Sequence, residues 1–325
     1  MDHQRAFEAA VSSAERQFGR GVLKSVAQLA QEEPLEVFST GLLVLDKALG
    51  IGGYPRGQIV EVYGPEASGK TTLALHAIAA AQRAEPDKRC LYIDAERGFN
   101  AQWATALGVD AERLYISRPD SGEQALELLE MTVRSGGCSL AVVDSVAALV
   151  PRAEIEGDMG DVHMGLQAKL MSQAMRKLIG VVSDTRTTVI FTNQLRTKIG
   201  VMFGSPETTT GGKALRFYAG VRMDVRRIGA IKKQSEQIGT RHRIKIVKSS
   251  FGAPAQVEAD LLFGRGFDLA SQVLHVAVEQ GLMTRSGSWY VHDGEHLGQG
   301  VQAASQALRD QPALLESLRQ QLISG

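Results

Sequence analysis

Gly64-Pro65-Glu66-Ala67-Ser68-Gly69-Lys70-Thr71-Thr72 spaces two glycines, a lysine and two hydroxyls as G-x-x-x-x-G-K-[ST]. The glycines let the backbone turn tightly enough for successive N–H groups to converge on phosphate oxygens. A helix opening at Lys70 adds the positive end of its dipole. Lys70 is placed to neutralise the β- and γ-phosphates of a nucleoside triphosphate, and the Thr71 hydroxyl to hold Mg²⁺. The motif carries this meaning only between a strand and a helix. Ile59-Val60-Glu61-Val62-Tyr63 reads as the buried strand before it, and Leu73, Leu75 and Ile78 continue a helix after it.

Polar residues at the ends of other apolar runs complete the chemistry. Asp144 closes Leu140-Ala141-Val142-Val143, where a carboxylate can share a Mg²⁺ shell with Thr71. Glu96 comes just after Cys90-Leu91-Tyr92-Ile93-Asp94, a natural place for a carboxylate that orients an attacking water. Spacing favours Glu96 only modestly over Asp94. Gln194 ends the strand Thr188-Val189-Ile190-Phe191-Thr192. A neutral amide there can sense a γ-phosphate and pass its position to the next segment of chain.

That segment, 196–212, is long, glycine-rich and basic, with Ile199, Met202 and Phe203 that no regular element buries. A second such loop, 156–165, comes after the Asp144 strand. A connection longer than about 12 residues inside a compact domain is usually functional or disordered. Arg196 and Lys198 beside these apolar residues suit neutralisation of a polynucleotide backbone plus wedging between bases. A plain surface connection is the alternative. His163 lacks ligand-type neighbours and gives no metal site.

The elements that must position these residues alternate. Strands at 90–94, 114–117, 140–144 and 188–192 are separated by helices at 101–107, 122–135 and 166–182. That order predicts a mostly parallel sheet covered by helices on both faces, with ligands at the carboxyl ends of the strands. Val221, Met223 and Val225 then alternate with Arg222, Asp224 and Arg226, and Ile244 and Ile246 with Arg243 and Lys245. These read as antiparallel strands joined by a polar loop, 232–240, with one solvated basic face. Past Phe267 a small tail domain is expected: a helix at 269–280, a hairpin around Arg285-Ser286-Gly287-Ser288, and a final helix from Gln302. At the other end Phe7, Val11, Ala14 and Phe18 make one helical stripe stopped by Gly19 and Gly21. A short strand around Val22-Leu23 comes next, then a Gln/Glu-rich stretch to Pro34. The stripe must dock either on its own core or on a neighbouring subunit.

Composition agrees with a soluble α/β protein: 325 residues, 44% hydrophobic, 22% charged and no net charge. Contact with nucleic acid must therefore come from local patches. No apolar run reaches membrane-spanning length and the N-terminus has no signal-peptide pattern, so no membrane role is expected. Cys90 and Cys138 lack metal-ligand spacing and read as reduced core residues of a cytoplasmic protein.

Several segments together resemble the bacterial RecA recombinase family. They are the phosphate loop, Val142-Val143-Asp144-Ser145-Val146-Ala147-Ala148-Leu149, Ala153-Glu154-Ile155-Glu156-Gly157, Gln173-Ala174-Met175-Arg176-Lys177-Leu178, Lys198-Ile199-Gly200-Val201-Met202-Phe203-Gly204 and Pro206-Glu207-Thr208-Thr209-Thr210-Gly211-Gly212. The likeness runs from about Phe18 to about Gly300. It implies a RecA-type phosphate-loop ATPase core at 34–267 with DNA-binding loops at 156–165 and 195–210. Around that core it implies an N-terminal polymerisation helix and strand at 1–33 and a small α+β C-terminal domain at 268–325. The implied activity is an ATP-dependent helical filament of this chain on single-stranded DNA, pairing it with homologous double-stranded DNA in recombinational repair. Stimulation of LexA-type repressor self-cleavage in the SOS response is implied as well. By position, the resemblance gives ATP the phosphate loop from Gly64 to Thr72 with Asn100, Trp103 and Asp144, and Mg²⁺ Thr71 and Asp144. Glu96, Lys70, Gln194 and Lys248 become catalytic, Lys248 reaching the ATP of an adjacent subunit. Met164, Gly165, Lys169, Ser172, Arg176, Arg196, Lys198, Ile199, Gly211 and Gly212 become DNA-binding, with Met164 and Ile199 inserting at base steps.

The sequence also departs from the family pattern. Ser250 stands where a second lysine is usual, Arg97-Gly98-Phe99-Asn100 replaces His-Ala-Leu-Asp, and Trp103 replaces a tyrosine. No acidic tail precedes Gly325, which predicts weaker self-inhibition of duplex entry. Two other readings compete: a hexameric helicase on the same core, against which both loops argue, and a filament ATPase with a regulatory role and weak or lost strand exchange.

Overall fold

The structure, a computed structural model, describes residues 3–32, 35–158, 165–197 and 207–324. It divides into two compact units, Met1–Glu36 and Val37–Gly325. The first contains helices α1 (His3–Phe18) and α2 (Val26–Glu32). None of the α1 residues is buried, and Phe7 and Phe18 of the predicted stripe are each 68% exposed. The strand expected around Val22-Leu23 is not formed. Those residues are turn and irregular backbone, and the polar stretch after them is α2. A strand needs a ladder partner, and no described residue pairs there.

The second unit opens with β1 (Val37–Phe38), α3 (Leu43–Ala48) and β2 (Tyr54–Pro55). Then come β3 (Ile59–Gly64), α4 (Lys70–Ala84), β4 (Arg89–Asp94), α5 (Ala101–Ala106), β5 (Leu114–Ser117), α6 (Gly122–Arg134), β6 (Cys138–Asp144), α7 (Arg152–Glu156), α8 (Leu166–Thr185), β7 (Thr188–Thr197), β8 (Glu207–Thr209) and α9 (Ala214–Tyr218). The chain continues through β9 (Val221–Lys233), β10 (Glu236–Ser249), β11 (Ala255–Leu262) and β12 (Gly266–Phe267). It ends with α10 (Leu269–Glu279), β13 (Thr284–Ser286), β14 (Trp289–His292), β15 (Glu295–Gln299), α11 (Gly300–Asp310) and α12 (Pro312–Ser324).

One ten-stranded sheet organises this unit, in the order β12-β11-β10-β9-β3-β7-β6-β4-β5, with β8 added to β7. From β9 to β5 every pairing is parallel, and β10, β11 and β12 add on antiparallel. Alternate residues of one strand feed different cores. Val60, Val62, Cys90, Tyr92, Leu140 and Val142 join the face packed on α4. Ile59, Leu91, Ile93, Ala141 and Val143 join the face packed on α6 and α8. Both faces are covered, which is why these strands read as unbroken apolar runs. A third cluster of Val273, Leu274, Ala277, Tyr290, Leu308, Leu318 and Leu322 holds the C-terminal elements together.

Several readings of the sequence are revised. The loop at 232–240 shrinks to a turn at Gln234-Ser235, because the β9–β10 ladder continues to Lys233↔Glu236. The strands β11 and β12 were not anticipated. The basic face of that hairpin is not simply solvated either. Arg222 is only 9% exposed and donates through Nε to Oε2 of fully buried Glu61 at 2.5 Å. Arg226 is bound by both Asp224 and Glu207. In the tail, the hairpin is a three-stranded sheet and the last helix is two, because Pro312 opens α12 after the chain leaves helix at Gln311.

Among the described residues no helix is long and apolar enough to cross a membrane. Cys90 and Cys138 are free and buried, and burial pushes both thiols up to about 12.

Candidate functional site

Register brings the predicted strand-end residues together. Gly64 of β3 lies opposite Gln194 of β7, and Asp94 of β4 opposite Asp144 of β6. The parallel ladders stop at these pairs, β7 alone running on to Thr197 to pair with β8, and the side chains there surround one opening. That opening is a cleft of about 390 Å³ lined by residues 66–72, Glu96, Asp144 and Gln194.

The loop into α4 ends on Gly69, whose φ of +91° is left-handed, a conformation that strains any residue with a Cβ. Lys70 Nζ donates to the carbonyls of Pro65 (2.7 Å) and Gly64 (3.2 Å), so the ammonium closes the loop on itself. Burial lowers the Lys70 pKa below the usual lysine value, opposed by the carboxylates of Asp144, Glu96 and Glu66.

Asp144 accepts three hydroxyls: Thr71 Oγ1 (2.7 Å) and Tyr92 OH (2.5 Å) on Oδ2, and Thr192 Oγ1 (2.5 Å) on Oδ1. Burial, then the neighbouring Asp144, pushes the Tyr92 phenol well above its ordinary value and keeps it a donor. Thr71 and Asp144 therefore meet directly. No cluster of three or more His, Cys, Asp or Glu able to hold a metal exists among the described residues. A hydroxyl and one carboxylate suit Mg²⁺ that completes its octahedron with phosphate oxygens and water, not an ion caged by protein alone.

Glu96 and Asp94 have different surroundings. Asp94 is 2% exposed and accepts from Gly98 N (2.8 Å), Phe99 N (3.2 Å) and Arg118 Nε (3.0 Å). Its carboxylate is spent holding the turn after β4. Glu96 faces the cleft instead, where Oε1 accepts from Ser145 Oγ and from Gln194 Nε2 at 3.0 Å. Ser145 is a contributor the sequence did not single out.

Sequence reasoning also missed Arg227, Thr240, His242, Leu261 and Phe263, which complete the cleft wall. They come from β9, β10, β11 and the turn after β11. Cross-strand register gathers them, with Arg227 opposite His242 and Thr240 opposite Leu261, and no local motif announces it.

Asn100 and Trp103 do not line this cleft. The Asn100 side chain caps α5 by accepting from Trp103 N at 2.9 Å, and Trp103 packs partly on the core. Lys248 is also elsewhere, its Nζ donating to the carbonyls of Phe217 (2.9 Å) and Arg216 (3.2 Å) at the end of α9.

The described residues among those predicted to face DNA do not line this cleft, and Gly211 is buried. Gly165, Lys169, Ser172 and Arg176 are spaced by four, three and four residues along α8, hence on one stripe. Lys169 and Arg176 are exposed. Gly211 N donates to Gln167 Oε1 at 3.1 Å, and Gly212 approaches so closely that a Cβ would lie 2.7 Å from Ala168 Cβ. Arg196 is exposed on β7, opposite Thr208 of β8. The second predicted loop is thus rooted in an antiparallel ladder, Leu195↔Thr209 to Thr197↔Glu207. Met164, Lys198, Ile199 and His163 lie outside the described residues.

Comparison with known proteins settles the family. The RecA N-terminal domain matches residues 5–268 and the RecA C-terminal domain residues 271–324. The chain belongs to the RecA family. Among its relatives, Protein RecA of Nocardioides sp. is 53% identical over 325 residues, 99% of this chain and 91% of the relative. Protein RecA of Arthrobacter sp. is 53% identical over 320 residues, 98% of this chain and 90% of that one. Protein RecA of Streptomyces venezuelae is 51% identical over 322 residues, 99% and 84% respectively. RecA membership over nearly the whole length supports the recombination and repair function. It is a DNA recombinase of DNA repair and a DNA-dependent ATPase that binds nucleotide and DNA and self-associates. The reading as a regulatory ATPase that has lost strand exchange is not favoured.

Proposed function

We propose that nucleotide state at the strand-end cleft governs how the chain holds DNA, through β7. The observation that carries this is Gln194. Its side chain bonds the candidate catalytic carboxylate of Glu96 at 3.0 Å, while the next residue, Leu195, begins the ladder that roots the DNA loop. Asn193 stiffens the joint. Its Oδ1 accepts from Gln194 N (2.9 Å) and Thr210 Oγ1, and its Nδ2 donates to Glu61 Oε1 (2.9 Å) and Thr210 O (3.1 Å). A side chain that turned from Glu96 toward a γ-phosphate would move both ends of the loop with it.

In this reading the loop from Gly64 to Thr72 binds the ATP phosphates and Lys70 offsets their charge. The buried Ser68 Oγ, which has no hydrogen-bond partner, fits that role, since a buried hydroxyl without a partner is costly. Thr71 and Asp144 would hold Mg²⁺, which when bound would help neutralise the phosphate charge. Glu96 orients the attacking water and Ser145 keeps the carboxylate in place. Lys248 acts on the nucleotide of a neighbouring subunit, supported by its lying outside its own chain's cleft. Asn100 and Trp103 contact the adenine.

Lys169, Ser172, Arg176, Arg196, Gly211 and Gly212 track the DNA backbone, with Gly165, Lys198 and the wedging residues Met164 and Ile199. Filaments form on single-stranded DNA and pair it with duplex in the cytoplasm, and they stimulate LexA-type repressor self-cleavage. We divide the chain into a polymerisation arm at 1–33, a core at 34–267 and a C-terminal domain at 268–325. That division is supported by the compact-unit boundary at Glu36 and by the break between the two matched domains after residue 268.

The test is single-stranded DNA binding with a non-hydrolysable ATP analogue, with ADP and with neither, alongside ATP hydrolysis and joint-molecule formation. Tight binding only with the analogue is expected. Equal binding in all three states would remove the coupling.

A further inference from the structure

His242 lies on β10, far in sequence from the phosphate loop, yet its ring rests against it. It is 2% exposed. Nδ1 lies 2.8 Å from the Ser68 carbonyl oxygen, and Nε2 lies 2.7 Å from Thr240 Oγ1. A Cβ added to Gly69 would meet Nδ1 and Cε1 at 3.3 Å. These partners determine the tautomer. A carbonyl can only accept, so Nδ1 carries the proton, and neutral Nε2 accepts from the threonine hydroxyl. Phe267 packs edge-on at 5.7 Å and steadies the ring.

The consequence for the loop is stereochemical. In a planar trans peptide the C=O and N–H point to opposite sides. Pinning the Ser68 carbonyl therefore fixes the direction of the Gly69 N–H, at the residue where loop becomes helix and where anion-binding amides converge. We propose that His242, its ring held by Thr240, is a positioning residue for the phosphate loop, holding the Ser68–Gly69 peptide in its nucleotide-binding orientation. The inference rests on the reading of this loop as the nucleotide site. It adds a tie between that loop and β10, the strand whose far end carries Lys248.

The experiment titrates a fluorescent ADP analogue, with Mg²⁺, against the full chain and the variants His242→Ala, His242→Asn and Thr240→Val. The asparagine amide can donate from about the place of Nδ1. Loss of one hydrogen bond predicts about tenfold weaker binding for His242→Ala and recovery to within about threefold for His242→Asn. Thr240→Val leaves buried Nε2 without its donor, loosens the ring and loses several-fold, which gives the same test if His242→Ala does not fold. In hydrolysis assays the loss should fall on KM, with kcat at saturating ATP within about twofold. His242→Ala binding as tightly as wild type, or alanine and asparagine variants equally impaired, overturns the role of His242. Failure of the wild-type chain to bind the probe overturns the nucleotide reading itself.

Discussion

Gln194 Nε2 donates to Glu96 Oε1 at 3.0 Å, joining β7 to the turn after β4, two strands that are not neighbours in the sheet. The contact places the residue best suited to sense a phosphate against the residue best suited to activate water. Gln194→Ala should bind nucleotide within about threefold of wild type. Its affinity for single-stranded DNA should become the same with ATP analogue and ADP, read by fluorescence anisotropy. Glu96→Gln should instead lower hydrolysis by about 10²–10⁴-fold while leaving analogue-dependent DNA binding in place.

Gly212 has a φ of +78°, and a Cβ there would crowd Ala168 of α8. Gly212→Ala combines left-handed strain of about 1–3 kcal/mol with displacement of the loop from the helix stripe. DNA binding should weaken while ADP affinity is unchanged. Loss of both in parallel would mean that the change is transmitted to the cleft or to the whole fold.

The Arg222–Glu61 pair lies inside the sheet, with Glu61 fully buried. Arg222→Met leaves a buried carboxylate whose remaining side-chain donor is Asn193. Breaking one side of such a pair costs about 3–5 kcal/mol, measurable as a lower urea midpoint at unchanged slope. The double replacement Arg222→Met with Glu61→Gln should recover much of the loss.

Burial pushes the His76 imidazole down from 6.5 to about 4, with Arg83 adding to the effect. Its Nε2 accepts from Phe267 N at 3.1 Å. On acidification the unfolded chain takes up this proton near pH 6.5 and the folded chain only near 4. The stabilisation is therefore complete above about pH 6.5, is lost as pH falls toward 4, and has a ceiling of about 3 kcal/mol. His76→Gln should flatten that part of the stability–pH curve, read from urea midpoints between pH 4 and 7.

Binding to single-stranded DNA should weaken steeply with salt, because basic groups on phosphates displace counterions. Arg176→Ala should reduce the slope of log K against log salt by roughly one unit, with similar losses for different base sequences. An unchanged slope would remove Arg176 from the backbone track.

The sequence by itself determined whatever depends on neighbours along the chain. The phosphate loop, the apolar runs that lead to Asp144 and Gln194, the alternation that makes the sheet parallel and the stripe of Lys169, Ser172 and Arg176 on one helix are all local spacing. Tertiary structure alone decided what depends on register between distant strands. It gave the Asp94 carboxylate Gly98, Phe99 and Arg118 as partners, and it left Glu96 facing Gln194. It also buried Arg222 on Glu61 where alternation suggested a solvated face, and set His242 beneath Gly69. The physical reason is that a strand's pattern states which residues share a face. Which strand lies alongside, and what that face meets, is set by burying the whole sheet at once.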